Sequence, residues 1–139
     1  MSPLDEQLLQ RKIKLIEDDF VLLTPYKTMQ KSAYAMDEKA QLVVERLMER
    51  IIGRLIDINY HVLKEQFGIT PTNYYDSFLA LAHEHVVDET LAASVAKSTG
   101  LRNILAHDCD EIDNGKVYDT IHVALSEVPQ YLKAILTYL

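Results

Sequence analysis

The residues best suited to chemistry lie together in the segment Arg102-Asn103-Ile104-Leu105-Ala106-His107-Asp108-Cys109. The guanidinium group of Arg102 is a permanent cation with a planar set of donors, which suits it to bind a phosphate group. The imidazole of His107 can exchange a proton near neutral pH. A phosphate-binding cation and a proton-transferring group in one short segment suit the cleavage of a phosphodiester.

The spacing of these residues decides how they can meet. Asn103 lies four residues before His107, so on a helix the two share a face and the amide can orient the imidazole. Arg102 lies about 140° around the same helix from His107, because each residue advances by about 100°. The two therefore meet only if the helix end unwinds within one subunit, or if a two-fold dimer places this segment beside its copy.

A site of this kind can cleave RNA without a metal ion or other cofactor. His107 would take the proton of a ribose 2′-hydroxyl, which attacks the adjacent phosphate, while Arg102 stabilises the charge that develops on the phosphoryl oxygens. The product would be a 2′,3′-cyclic phosphate, and DNA, which lacks the 2′-hydroxyl, would survive. By spacing alone a structural role is the stronger interpretation, because arginine and histidine near a helix C-terminus commonly bind the last carbonyl groups.

Helices must position this segment, since apolar residues recur at helical spacing along most of the chain. We predict five helices, over residues 3–23, 38–67, 74–83, 89–105 and 117–139. The predicted helix boundaries are N-caps at Ser2, Asp37 and Asp88, a helix end at Gly68 and a turn at Asn114-Gly115. Residues 27–35 are predicted to form a loop. The fold class is therefore all-α, an antiparallel helical bundle of about five helices in one domain, residues 1–139.

The second predicted helix carries more apolar surface than one internal face needs. Met48, Ile52 and Ile56 form a row beside its main stripe. Either a second layer of helices or a partner subunit must cover this row, and the sequence leaves the two options equal.

Composition limits the class of protein. A chain of 139 residues suffices for one core but not for two ordinary domains. Its formal net charge of −7 argues against a generic DNA-binding protein. The single cysteine forbids an internal disulfide, no apolar run is long enough for a membrane span, and the N-terminus does not resemble a secretory signal. We therefore expect a cytoplasmic protein.

Two polar clusters resemble metal sites but lack the spacing of one. Asp108, Asp110, Glu111 and Asp113 do not match the calcium-loop pattern, and a solvated loop with Asp113 or Asn114 capping the last helix is the simpler interpretation. His83-Glu84-His85 places its two imidazoles on roughly opposite sides of a helix. We predict no metal site.

Three further patterns on the helices have structural interpretations. Arg46, Arg50 and Arg54 recur every four residues and are predicted to form a solvated helix face rather than a patch for phosphate. Asp57 and His61 are four residues apart and could pair with each other on the second helix. The dipeptide Tyr74-Tyr75 is predicted to pack over the bundle end rather than to stack on bases.

The segment Arg102 to Cys109 resembles the signature of the HepT-like group of the HEPN superfamily, which is Arg, four residues, His, any residue, Tyr. Arg102 and His107 match its first two elements. The resemblance extends to the order of the helices, the long second helix with Ile56-Asp57-Ile58-Asn59-Tyr60-His61, and the chain length. It therefore covers most of the protein.

This resemblance implies a helical HEPN bundle that forms a homodimer, with the motif lining a cleft between the subunits. It implies a toxin ribonuclease that acts on RNA and pairs with a small nucleotidyltransferase antitoxin. Within that frame His107 is the acid/base, Arg102 binds the scissile phosphate and Asn103 orients the site. Asp57 becomes a candidate cleft residue, with a buried structural hydrogen bond as the alternative.

Cys109 departs from the family pattern. The family has a tyrosine at this position, and the antitoxin attaches AMP to it, whereas a thiol cannot form the same phenolic phosphodiester. Tyr118 offers another hydroxyl nine residues further on. The resemblance therefore implies that neutralisation by AMPylation is impaired in this chain, while Arg102 and His107 still permit cleavage. The thiol and the net acidity favour an alternative, a non-catalytic module that binds the nucleotidyltransferase. A purely structural bundle is a third hypothesis.

Overall fold

The protein folds into an all-helical bundle in a computed structural model that describes residues 5–101 and 113–139. Its helices are α1 (Glu6–Leu23), α2 (Lys31–Ala35), α3 (Glu38–Phe67), α4 (Tyr74–His83), α5 (Glu89–Ala96) and α6 (Asn114–Tyr138). A 3-10 turn, Thr24–Lys27, follows α1, and residues 98–101 are helical again after a turn at Lys97. The described residues contain no strand, so the all-α prediction is confirmed. None of the described helices is long and apolar enough to cross a membrane.

Side-chain caps fix where the helices begin. In every described helix except α2, the side chain of the N-cap residue accepts a hydrogen bond from a backbone N–H three residues later, and these residues are Asp5, Asp37, Asn73, Asp88 and Asp113. Gly68 ends α3 in the left-handed conformation, with φ of 63°. The predicted caps at Asp37, Asp88 and Asp113 and the helix end at Gly68 are confirmed.

The predicted cap at Ser2 and the predicted turn at Asn114-Gly115 are wrong. The cap of α1 is Asp5, whose Oδ1 accepts from the N–H of Leu8 at 2.9 Å. The last helix already begins at Asn114, because Asp113 caps it through the N–H of Lys116 at 3.1 Å. Residues of a first turn have unpaired N–H groups in any helix, so a turn-forming pair is tolerated there.

The predicted loop over residues 27–35 is also wrong, because it contains α2. This helix has five residues and no side-chain cap, which is too short for a periodic pattern to be read. Its burial comes from tertiary packing: Tyr34 is buried and its ring lies 5.7 Å from that of Tyr118 in α6. The described part of the predicted fourth helix is interrupted as well, by a turn at Lys97. Just after this turn, the hydroxyl groups of Ser98 and Thr99 donate to the carbonyls of Val95 and Ala96.

Helix α3 is the centre of the bundle. It packs against α1, α2, α4 and α6. Met48, Ile52 and Ile56 are at most 4% exposed within the single chain. The second layer of helices therefore covers the row that the sequence left to either a layer or a partner subunit.

A buried hydrogen-bonded network joins α3, α4 and α6. The hydroxyl of Tyr131 donates to Asn59 Oδ1 at 2.6 Å, and Asn59 Nδ2 donates to Ser77 Oγ at 3.1 Å. Ser77 in turn donates to the carbonyl of Tyr74. Burial raises the pKa of Tyr131 well above its ordinary value. The network is satisfied, so it fixes the register of three helices.

Two tyrosine-to-phenylalanine substitutions should therefore have opposite effects on stability. Tyr131→Phe removes the buried hydroxyl that donates to Asn59 Oδ1 and should lower the free energy of unfolding by about 1–3 kcal/mol. Tyr34→Phe removes a buried hydroxyl that has no hydrogen-bond partner among the described residues, so it should raise that free energy by up to about 1 kcal/mol. Urea unfolding of both variants measures the two changes. Equal effects of the two substitutions would contradict this assignment.

Candidate functional site

The four motif residues, Arg102, Asn103, His107 and Cys109, lie outside the described residues. The structure describes instead the residues on either side of that segment, up to Leu101 before it and from Asp113 after it. The roles assigned to the four residues stay predictions, as does the interpretation of the acidic residues Asp108, Asp110 and Glu111 as a solvated loop.

The protein core anchors both of these ends. Before the segment, Thr99 is buried and Leu101 packs against the core. After it, Asp113 caps α6 and Val117 is fully buried. Because each end is tied to a packed helix, the segment between them starts and finishes at fixed places in the bundle.

A surface pocket of about 390 Å³ lies between these two ends. Its lining includes Leu101 and Asp113, together with Lys97, Gly100, Lys116, Val117, Asp119 and Thr120. The pocket is therefore bordered by the residue immediately before Arg102 and by the N-cap of α6. The charged residues among its described lining are Lys97, Asp113, Lys116 and Asp119.

Asp57 is exposed and pairs with a different residue than the spacing suggested. Its Oδ2 lies 3.1 Å from Lys12 Nζ in α1, and its side chain is 57% exposed. His61 Nε2 accepts a hydrogen bond from the backbone N–H of Asp5 at 3.1 Å. The Asp57–His61 pair does not form, because α1 packs across this face of α3 and supplies a partner to each side chain. The exposure also rules out the buried structural bond, and a role for Asp57 in a cleft stays a prediction.

The arginines of α3 do not form the solvated face that the sequence predicted. Arg54 lies 2.7 Å and Arg50 3.1 Å from the two carboxylate oxygens of Asp19 in α1, and Asp19 is 1% exposed. Arg46 pairs with Glu49 at 3.5 Å. Two of the three arginines therefore neutralise a buried carboxylate between α1 and α3.

Sequence reasoning missed Asp19, although a signal for it exists. Asp19 follows Ile16 by three residues and precedes Leu23 by four, so it falls on the apolar stripe of α1. An acidic residue on a buried stripe needs a cationic partner. The arginine repeat of α3 was the place to look for that partner.

The hydroxyl of Tyr118, the alternative acceptor for AMP, is engaged. It donates to the carbonyl of Met29 at 2.6 Å, and its ring contacts those of Tyr34 and His122. A nucleophilic hydroxyl would have to break this bond before it could react. The geometry therefore argues against Tyr118 as a substitute for the motif tyrosine.

The remaining sequence candidates on α4 have structural surroundings. The ring of Tyr74 packs edge-on against that of Tyr60 at 6.0 Å, in agreement with aromatic packing, while Tyr75 is 41% exposed. His85 adopts a positive φ of 62° after the end of α4. Among the described residues no three His, Cys, Asp or Glu side chains are grouped to hold a metal ion.

Comparisons with known proteins agree on one family. The family model described as "Ribonuclease HepT-like" matches residues 9–135. The chain is 32% identical over 140 aligned residues to the tRNA nuclease HepT of Aphanizomenon flos-aquae, covering all of this chain and 95% of that protein. It is 29% identical to the mRNA nuclease HepT of Shewanella oneidensis, over 75% of this chain and 78% of that one.

A solved structure extends the agreement to the fold. The tri-AMPylated Shewanella oneidensis HEPN toxin, in complex with an MNT antitoxin, superposes with a TM-score of 0.84 and 25% sequence identity. The superposition covers 94% of this chain and 97% of the toxin. The HEPN architecture expected from the resemblance is confirmed.

Proposed function

Because the chain belongs to the ribonuclease HepT-like family and is an endoribonuclease of that family, we propose that it is a cytoplasmic toxin that works as a homodimer. The whole chain, residues 1–139, forms its single HEPN domain. Its substrate is RNA, its partner is a nucleotidyltransferase antitoxin, and its reaction needs no metal ion.

The proposed reaction is an internal transfer at phosphorus. His107 accepts the proton of the 2′-hydroxyl, the 2′-oxygen forms a bond to the adjacent phosphorus, and the bond from phosphorus to the 5′-oxygen breaks. The leaving 5′-oxygen takes up a proton from the histidine of the same cleft. Arg102 stabilises the charge on the phosphoryl oxygens, and Asn103 orients the imidazole.

The match of the family model over residues 9–135 carries this proposal, because it spans the segment that contains Arg102 and His107. Two relatives that align with most of the chain are named as nucleases, one of tRNA and the other of mRNA. These findings favour a nuclease over the alternative of a non-catalytic module. The anchored ends of the segment further support a fixed site.

The proposal is tested by the ends of the products. Purified protein incubated with a defined RNA should release fragments that carry a 2′,3′-cyclic phosphate, and a chelator should leave the rate unchanged. The matching DNA should remain intact, because it lacks the attacking hydroxyl. Products with a 3′-hydroxyl end would overturn the proposed chemistry, and intact RNA at every protein concentration would overturn the function.

Regulation by the antitoxin is the point at which this chain differs from its family. The Shewanella oneidensis toxin is tri-AMPylated in its complex with the MNT antitoxin. The motif tyrosine is replaced here by Cys109, and the hydroxyl of Tyr118 is held by the carbonyl of Met29. We infer that the antitoxin binds this chain but modifies it poorly.

Cys109→Tyr should restore modification. Incubated with a nucleotidyltransferase antitoxin and ATP, the variant should gain adenylyl groups and lose ribonuclease activity, because a phenolic acceptor is present again. Intact-protein mass spectrometry reads the gain. The matched control is Cys109→Phe, which supplies the ring without the hydroxyl and should stay unmodified. Modification of the unaltered chain to the same extent would contradict the inference.

A further inference from the structure

The pocket beside the motif segment contains two lysines whose charge is not used within the described residues. Lys97 and Lys116 line it from the end of α5 and the start of α6, and both are exposed. Neither makes an ion pair with a described residue. Among the described residues, no carboxylate is paired with either ammonium group.

The two carboxylates of the same pocket are already engaged. Both oxygens of Asp119 lie 3.0 Å from Lys31 Nζ in α2. Asp113 Oδ1 accepts the N–H of Lys116 as the N-cap of α6. Two lysines and two aspartates line the pocket, and Lys31, which is not part of the lining, neutralises Asp119. Among the described residues at this place, positive charges therefore exceed negative ones by one, in a chain whose net charge is −7.

The position of the pocket identifies the anion. Leu101, which lines it, is the residue before Arg102, and Asp113 lies on the other side of the motif segment. An RNA strand whose scissile phosphate is bound by Arg102 carries further phosphates on either side. The sequence also places Asp108, Asp110 and Glu111 between the two ends, and these acids repel the strand. Two lysines beside the strand would offset part of that repulsion.

We propose that Lys97 and Lys116 form a phosphate subsite that holds the RNA backbone beside the scissile bond. This inference rests on the proposed function and adds to it the residues that position the substrate. The lysines act on binding through point charges, so they carry no base specificity. Their loss should weaken binding and leave the chemical step intact.

The test is RNA binding by the double variant Lys97→Gln/Lys116→Gln of the full chain. A 2′-O-methylated oligoribonucleotide serves as the probe, because it lacks the attacking hydroxyl and is not cleaved. Fluorescence anisotropy should show a Kd about five- to tenfold higher than that of the unaltered protein. The slope of log Kd against log salt should fall by about 1.4, since each neutralised phosphate of a single strand contributes about 0.7. With cleavable RNA, KM should rise while kcat stays constant.

The chain offers a matched control in Lys64→Gln/Lys133→Gln. It removes the same charge from two exposed lysines without an ion pair among the described residues. The rings of Phe67 and Tyr138 lie 5.9 Å apart, which places the ends of α3 and α6 together. Lys133 is therefore about 25 Å along α6 from Lys116. The control should bind RNA like the unaltered protein.

The outcomes separate this inference from the proposed function. Equal Kd values and salt slopes for the two double variants would overturn the phosphate subsite, even if the protein cleaves RNA. Loss of antitoxin binding with unchanged RNA affinity would assign the lysines to the protein partner and overturn it too. A protein that cleaves no RNA would overturn the proposed function, while a selective loss of probe binding in the pocket variant would still support the subsite.

Discussion

His107→Ala is expected to lower the rate of RNA cleavage by about 10²- to 10⁴-fold, which is the usual contribution of general acid–base catalysis. The imidazole is the proposed acceptor of the 2′-hydroxyl proton. The affinity for a non-cleavable RNA should change little, because the variant keeps Arg102, Lys97 and Lys116, the residues proposed to bind its phosphates. Single-turnover cleavage and anisotropy together measure the two effects.

The matched control for this prediction is His83→Ala. His83 is exposed at the end of α4 and lies outside the motif, so its loss should leave cleavage unchanged. A His107→Ala variant that cleaves RNA as fast as the control would remove the imidazole from the mechanism. Antitoxin binding should persist in both variants.

Asp19→Ala is expected to cost about 3 kcal/mol of the free energy of unfolding, the largest stability loss that we predict. The substitution leaves two arginines, Arg50 and Arg54, without the carboxylate that lies between them. Breaking a buried ion pair by removing one partner typically costs about 3–5 kcal/mol. The lower end applies here because the side chains of Arg54 and Arg50 are 20% and 39% exposed and regain some water.

Asp18→Ala is the control for the stability measurement. Asp18 is the neighbouring residue and pairs with Lys14 at 2.8 Å, but both side chains are at least half exposed. A surface pair of this kind contributes well under about 1 kcal/mol. Urea unfolding should separate the two variants clearly. A loss for Asp19→Ala no larger than that for Asp18→Ala would contradict the structural role of the buried carboxylate.

Local signals explain why much of the fold could be predicted from the sequence. Asp37, Asp88 and Asp113 cap helices because a carboxylate bonds to an N–H only three residues away. Gly68 ends α3 because the left-handed backbone conformation at this position favours glycine. The apolar stripes needed only the helical period to be recognised.

Tertiary contacts account for what the sequence did not predict. Helix α2 is held by the packing of Tyr34 on Tyr118, which comes from a segment more than eighty residues away. The partners of Asp57 and His61 come from α1 and its N-cap. Spacing along one helix could suggest only the Asp57–His61 pair, because it carries no information about the neighbouring helix.

The candidate site, like the fold, has one part that the sequence predicts and another that depends on tertiary contacts. The types and spacing of Arg102 and His107, with the family resemblance, were enough to predict a ribonuclease before any fold was known. That Lys97 and Lys116 have no ion-pair partner among the described residues could not be predicted, because it becomes apparent only when Asp119 is seen to pair with Lys31. Spacing also leaves open whether Arg102 and His107 act within one subunit or across two.

Subunit mixing addresses that question most directly. Arg102→Ala and His107→Ala proteins, each inactive alone, are unfolded together and refolded so that mixed dimers form. If the guanidinium and the imidazole of one cleft come from different subunits, each mixed dimer has one complete cleft, and RNA cleavage should return to a measurable fraction of the original rate. If mixed dimers form and the cleavage rate stays at that of the separate variants, the shared cleft is contradicted.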